Sequence, residues 1–302
     1  MISMATPSPT TTAGAVGLAL GGGGVKGMAH VGVLSALAAR GARFDRVAGT
    51  SVGALVGAFY AAGFSPEAMH RLFSEVPLSA LFGLRLDGRA LVDVGPMGAF
   101  LREQLADARI EDLPVPLTVV CTDLATGERV CLERGDLVDA VMASSAVPGV
   151  FAPVRLDGRV LVDGGLSSNL PVGVLRERGC ARVVAVRLFG PGGAPHAHPS
   201  RMSAWAHRLA AASGGALDPA AEVPHVLATI ARSVDILMAG LESATLETAA
   251  PDVLVAPDVA RIGFLDVTES REAMFEKGVE AVGAVAAELD ALFDRSAAGG
   301  RS

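Results

Sequence analysis

Cysteine is scarce in this chain of 302 residues: there are three, Cys121, Cys131 and Cys180. An odd number with no Cys-x-x-Cys pair excludes a disulfide framework and a thiolate zinc site. It reads as buried thiols in a reducing compartment. Aromatic residues make up only 4%. Lysine is rarer still, Lys26 and Lys277 being the only two among 25 Lys and Arg residues. Positive charge is short overall: the net charge of -7 argues against a nucleic-acid partner and against broad adhesion to anionic lipid, leaving only a local patch for peripheral membrane contact. Long apolar runs are missing as well. The cleanest, Val52 to Phe64, falls short of the roughly 20 residues that a membrane span needs. The opening MISMATPSPTTTAGA has neither the basic nor the apolar region of a secretory signal. Its Thr, Pro and Ser bias predicts a disordered leader over residues 1–14, then one domain over 15–302 in a cytoplasmic protein.

What the chain has in plenty is glycine, 36 residues, and apolar side chains, 51%. The apolar segments alternate between short runs and helical periods. Strands are expected at Val16–Leu20, Arg46–Gly49, Pro116–Asp123, Arg129–Glu133, Arg182–Phe189 and Asp252–Ala256, with a hairpin turning on Asp157-Gly158. Helices are expected at Met28–Arg40, Val52–Ala62, Pro96–Ala108, Leu137–Ser145 and Pro171–Arg178, and after Ser65-Pro66. Pro77–Gly95 reads as irregular and Gly190–Pro199 as a loop. Strands alternating with helices predict an α/β protein, a three-layer sandwich with a mainly parallel central sheet.

The stretch LALGGGGVKGMAHVGVL puts Gly21 to Gly24, Val25, Lys26 and Gly27 between a strand and a helix. Such a turn bares backbone N–H groups at a helix start, an anion site. Dinucleotide binding would use Gly22, Gly24 and Gly27 as G-x-G-x-x-G, with Asp45 as the ribose acid. Asp45, however, precedes the second strand instead of ending it. A nucleotide-phosphate loop needs Ser or Thr after its lysine, and Lys26 is followed by Gly27. The third reading is an oxyanion hole, which requires a nucleophile nearby. GTSVG, with Gly49 and Gly53 flanking Ser51, is a G-x-S-x-G elbow at a strand–helix junction.

Serine needs a base. None of the six histidines sits in a compelling loop at a strand end: His30 lies inside the first helix and reads as structural, and His196 and His198 lie in a polar loop. Asp163 in VLVDGGLSSNLPV follows a buried strand and precedes Gly164-Gly165. It is either the base or a turn aspartate of the kind that suits Asp87 and Asp157.

Glycine loop, serine elbow and Asp-Gly-Gly in this order resemble the patatin-like phospholipases, in the bacterial single-domain branch related to neuropathy target esterase. CTDLATGERV, ASSAVPGVFAPV and PDVLVAPDV extend the likeness from about Gly17 to Val282. The resemblance implies a Ser51–Asp163 dyad, a Gly22–Gly27 oxyanion hole acting chiefly through N–H groups near Gly23, Gly24 and Val25, and acyl esters of phospholipids, lysophospholipids or related lipids as substrates; the alternative, a non-catalytic lipid-binding or regulatory protein on the same fold, would usually have lost the serine or the aspartate. It implies no metal and no cofactor. Lys26 stands where the family often has arginine. Either it is constrained, by lending positive potential or by tying down the loop, or it has drifted at an exposed position. Pro77–Leu86 and Met202–Ala216 are apolar enough to form a mouth or lid, or to pack in the ordinary way.

Overall fold

The protein is described by a computed structural model covering residues 14–81, 83–84, 92–190, 226–262 and 270–299. The expected leader except Gly14, and Asp87, His196, His198 and the Met202–Ala216 segment, lie outside these residues. The strands are β1 (Val16–Leu20), β2 (Arg46–Thr50), the two-residue β3 (Gly83–Leu84) and β4 (Val92–Asp93), β5 (Leu117–Asp123), β6 (Arg129–Leu132), β7 (Val154–Leu156), β8 (Arg159–Asp163), β9 (Arg182–Val186) and β10 (Val253–Val255). The helices are α1 (Gly27–Ala39), α2 (Val52–Ala61), α3 (Pro66–Glu75), α4 (Leu78–Leu81), α5 (Gly95–Leu105), α6 (Leu137–Ser144), α7 (Gly165–Ser168), α8 (Val172–Glu177), α9 (Val226–Thr248), α10 (Arg271–Ala284) and α11 (Ala286–Gly299).

Every residue of β1 and of β5 is buried. Apolar runs without alternation belong to a sheet covered on both faces. The side chains still alternate between two cores. Leu18, Leu20, Val47, Leu117, Val119, Val184 and Val186 face one, packed with α1, α2, α6 and α10. Ala19, Ala48, Val120, Val183 and Ala185 face the other, against α8. The result is a mixed α/β fold with helices on both sides of an eight-stranded sheet ordered β10-β9-β1-β2-β5-β8-β7, with β6 also on β5. The strands from β10 to β5 are parallel to their neighbours; β6, β7 and β8 run antiparallel.

The register around β5 decides the site. β2 pairs with Leu117 to Val120 and β8 with Cys121 to Asp123, while β6 overlaps both and so takes the other edge. Thr50 pairs with Val120 and Asp163 with Cys121. The C-terminal ends of β2 and β8, far apart in sequence, thus meet at consecutive residues of one strand.

Several boundaries differ from those the sequence predicts. β9 stops at Val186, short of the expected Phe189, where the chain turns so that the Leu188 carbonyl and the Phe189 ring cover Lys26. The fifth helix ends at Leu105, since Ala106 adopts a φ of 51°, outside helical space. Pro77–Gly95, expected to be irregular, contains α4 and the antiparallel β3–β4 pair among its described residues. The short α7 was not expected: three of its four residues are Gly or Ser, which favour turns over helices. Among the described residues no helix is long and apolar enough to cross a membrane.

Candidate active site

The glycine loop leaves β1 and enters a single 3-10 turn, Gly24–Lys26, continuous with α1. Gly21 N–H donates to Val186 O (3.0 Å), Gly22 N–H to Asn169 O (3.1 Å) and Lys26 N–H to Gly23 O (3.3 Å). Among the described residues no acceptor takes the N–H groups of Gly23, Gly24 or Val25. They lie at the amino end of a helix, where unpaired donors concentrate positive potential. Gly24 has a φ of +59°, which other residues rarely adopt. Its neighbours are hemmed in: a Cβ on Gly22 would strike Asn169 Oδ1, on Gly23 the Leu188 side chain, and on Gly27 the Val52 side chain.

His30 anchors this loop from below. It is fully buried, and its Nε2 lies 2.8 Å from the Gly21 carbonyl, to which it donates. Burial drives its pKa down to about 4, so the ring is neutral near pH 7. Lys26 is also fully buried, not exposed; its Nζ donates to Leu188 O at 3.0 Å. The alternative of drift at an exposed position therefore fails.

Ser51 follows β2 and precedes α2 with φ 54° and ψ −124°. A non-glycine residue held there stores on the order of 1–3 kcal/mol and lifts its side chain clear of the sheet. The hold is visible. Ser51 N–H donates to Ser144 Oγ (2.9 Å), and Ser144 Oγ donates to Val120 O (2.6 Å). Next to it, Thr50 Oγ1 donates to Ser168 O (2.9 Å). The helix can begin so close to β1 only because residue 53 is glycine, since a Cβ there would run into the carbonyls of Leu20 and Gly21. A Cβ on Gly49 would meet Gly53 O at 2.5 Å.

Asp163 ends β8 and is fully buried. Its Oδ1 accepts from Gly165 N–H at 2.8 Å, and its Oδ2 has no hydrogen-bond partner. Burial lifts its pKa to about 6, with the nearby Ser51 side chain and the Gly165 amide pulling the other way. Thr122 Oγ1 holds the Asp163 carbonyl (2.9 Å), and Gly164 lies tight against Val120 O. Asp157, exposed in its hairpin with φ 48°, is the ordinary turn residue; Asp163 is in a different environment altogether.

Three contributors were not singled out from sequence. Ser144 and Asn169 lie within conspicuous stretches, yet only contacts reveal what they hold. Glu242 on α9 is buried and accepts from Asn169 Nδ2 at 2.9 Å. Its only advance signal is indirect: a buried lysine needs a carboxylate somewhere. Asp45 has a structural job. Its Oδ2 accepts from Val16 N–H at 2.7 Å, at the opposite end of the sheet from the glycine loop, so it cannot serve a dinucleotide ribose there.

Residues 18–176 match the family model described as patatin-like phospholipase. An uncharacterized NTE family protein from Mycobacterium tuberculosis is 36% identical over 210 residues, covering 68% of this chain and 58% of its own length. A second such protein from that organism is 30% identical over 282 residues, covering 91% of this chain and 47% of its own. This chain thus spans only about half of the curated relatives it matches. The lysophospholipase NTE1 of Candida glabrata is 33% identical over 181 residues, covering 57% of this chain and 10% of its own. In fold, the crystal structure of VipD from Legionella pneumophila aligns with a TM-score of 0.55 at 16% identity, covering 92% of this chain and 67% of that one. A sheet of this topology, with its serine elbow and glycine loop, and a family match over more than half its length agree: the chain belongs to the patatin-like phospholipase family.

Proposed function

We propose that this protein is a serine hydrolase that cleaves fatty-acyl esters of phospholipids or lysophospholipids with a Ser51–Asp163 dyad. Residues 15–302 act as one catalytic domain. Ser51 Oγ attacks the ester carbonyl carbon and its proton passes to Asp163 Oδ2. The carbonyl oxygen becomes an oxyanion that accepts hydrogen bonds from the N–H groups of Gly23, Gly24 and Val25. As the intermediate collapses, Asp163 returns the proton to the departing alcohol or lysolipid. Water then attacks the acyl-Ser51 ester, Asp163 takes one of its protons, and the fatty acid leaves as Ser51 Oγ is reprotonated.

The observation that carries this reading is Asp163 Oδ2: a buried carboxylate oxygen with no partner, beside the Ser51 side chain. An ordinary aspartate is a feeble base for a hydroxyl, and burial that lifts its pKa to about 6 brings it nearer the working range. Three unused amides supply the second requirement, and losing one such donor costs on the order of 3 kcal/mol of barrier. The family supports lipid substrates. Ile236 and Leu237, exposed on α9 beside Met238, which touches Gly165, offer an apolar approach for a lipid surface. The test is labelling with a fluorophosphonate and locating the adduct by mass spectrometry. The adduct is expected on Ser51, with hydrolysis of a short-chain acyl ester lost in Ser51→Ala and Asp163→Asn. Full activity in purified Ser51→Ala, or an adduct on another serine, overturns the reading.

A further inference from the structure

Behind the glycine loop lies a second group of buried charges. The Lys26 ammonium has a carbonyl, Leu188 O, and a ring face, Phe189 at 4.2 Å from its centre, as neighbours. Neither neutralises it, and an uncompensated buried charge costs several kcal/mol. The compensation comes from α9, where Asp235 and Glu242, both buried, attract it. Glu242 also accepts from Asn169 Nδ2, while the Asn169 carbonyl holds Gly22 N–H. One carboxylate therefore acts on the loop at both ends, at Gly22 through a side chain and at Lys26 through space. Arg187, just past β9, faces Glu242 from the sheet, and His30 faces Lys26 from α1.

We propose that Glu242 is a positioning residue for the glycine loop, fixing Gly22 by way of Asn169 and keeping Lys26 charged so that it grips the Leu188 carbonyl. A charged donor makes about twice as strong a hydrogen bond as a neutral one, so loss of the Lys26 proton loosens the turn that carries the free amides. Burial lowers Lys26 to about 8 and raises Glu242 to about 7, so both groups change charge close to neutral pH. The structural coupling stands by itself; its catalytic consequence rests on the reading of Ser51 above.

The two-lysine composition makes the test direct. Protein labelled at lysine Cε gives two side-chain signals by NMR, and Lys26→Arg assigns them. In the wild type the Lys26 signal is expected to titrate near pH 8. Glu242→Gln keeps an acceptor for Asn169 but removes the charge. Its Lys26 midpoint should fall by about one pH unit. The alkaline limb of kcat for a short-chain acyl ester should fall with it, while KM stays within about twofold. In Lys26→Arg, whose charge does not titrate, the limb near pH 8 should disappear. A Lys26 midpoint at the ordinary 10.5 in the wild type, or one unchanged in Glu242→Gln, overturns the coupling. A kinetic limb that stays put while the signal moves, or that persists in Lys26→Arg, overturns the positioning role. Should Glu242→Gln not fold, the wild-type titration and Lys26→Arg still decide. If Ser51→Ala hydrolyses as well as wild type, the hydrolase reading falls while the lysine titration judges the coupling alone.

Discussion

A carboxyl group taken wholly out of water has to be held there by the rest of the fold, and Asp163 records the cost. In the unfolded chain it titrates near 3.8, and in the fold at about 6. The folded state therefore binds more protons between those values, and stability falls as pH rises through them. The contribution is intact below pH 3.8 and spent above pH 6. Its size is at most about 3 kcal/mol. Asp163→Asn keeps an acceptor for Gly165 N–H and removes the charge. It is expected to unfold a few degrees higher than wild type at pH 8 and at nearly the same temperature at pH 4, by calorimetry, while hydrolysing nothing. Equal midpoints at pH 8 would contradict the burial. With Asp163 as the proposed base, the same group would set the acid side of kcat/KM, since only its ionised form accepts a proton; activity should decline below about pH 6. Ser51 and Asp163 were legible in the sequence because glycines crowd them, and glycine marks where backbones must approach. Ser144 and Asn169 were not, because their partners Ser51 and Gly22 lie more than 90 residues away and follow no local pattern.

Among the elements, the parallel strands were the most legible, because strands buried on both faces are written as unbroken apolar runs. Their order in the sheet was not, since nothing local specifies that β2 and β8 succeed one another along β5. Helix packing was likewise invisible, and it bears on the site through α1. There α10 crosses so closely that a Cβ on Gly278 would collide with Ala29 O and Val33 N, and one on Gly32 with the Phe275 carbonyl. Backbone cannot yield as a side chain does. Gly278→Ala is expected to cost on the order of 1–3 kcal/mol and lower the denaturant midpoint. Gly283→Ala, five residues on in the same helix with nothing within 4 Å of its Cβ, should instead gain up to about 1 kcal/mol. If both substitutions shift the midpoint in the same direction, the close crossing is not what residue 278 serves.

For the molecule as a whole, the family-matched span of residues 18–176 holds the serine, the aspartate and the glycine loop with their near supports Ser144 and Asn169, but not all that surrounds them. Glu242, Met238 and the α10 helix that seats α1 all come later in the chain. Segments without a recognisable motif thus complete the candidate site from behind, which is why the sequence offered candidates for the reacting groups and none for this part of their support. The burial of Lys26 has a consequence for surface chemistry. With Lys277 the one other lysine, half-buried on α10, an amine-acylating reagent can reach residue 26 only when the interior opens. Peptide mapping over time should find the tag at 277 long before 26, and the delay measures how often the protein breathes; equal rates at the two positions would mean that the ammonium is not enclosed.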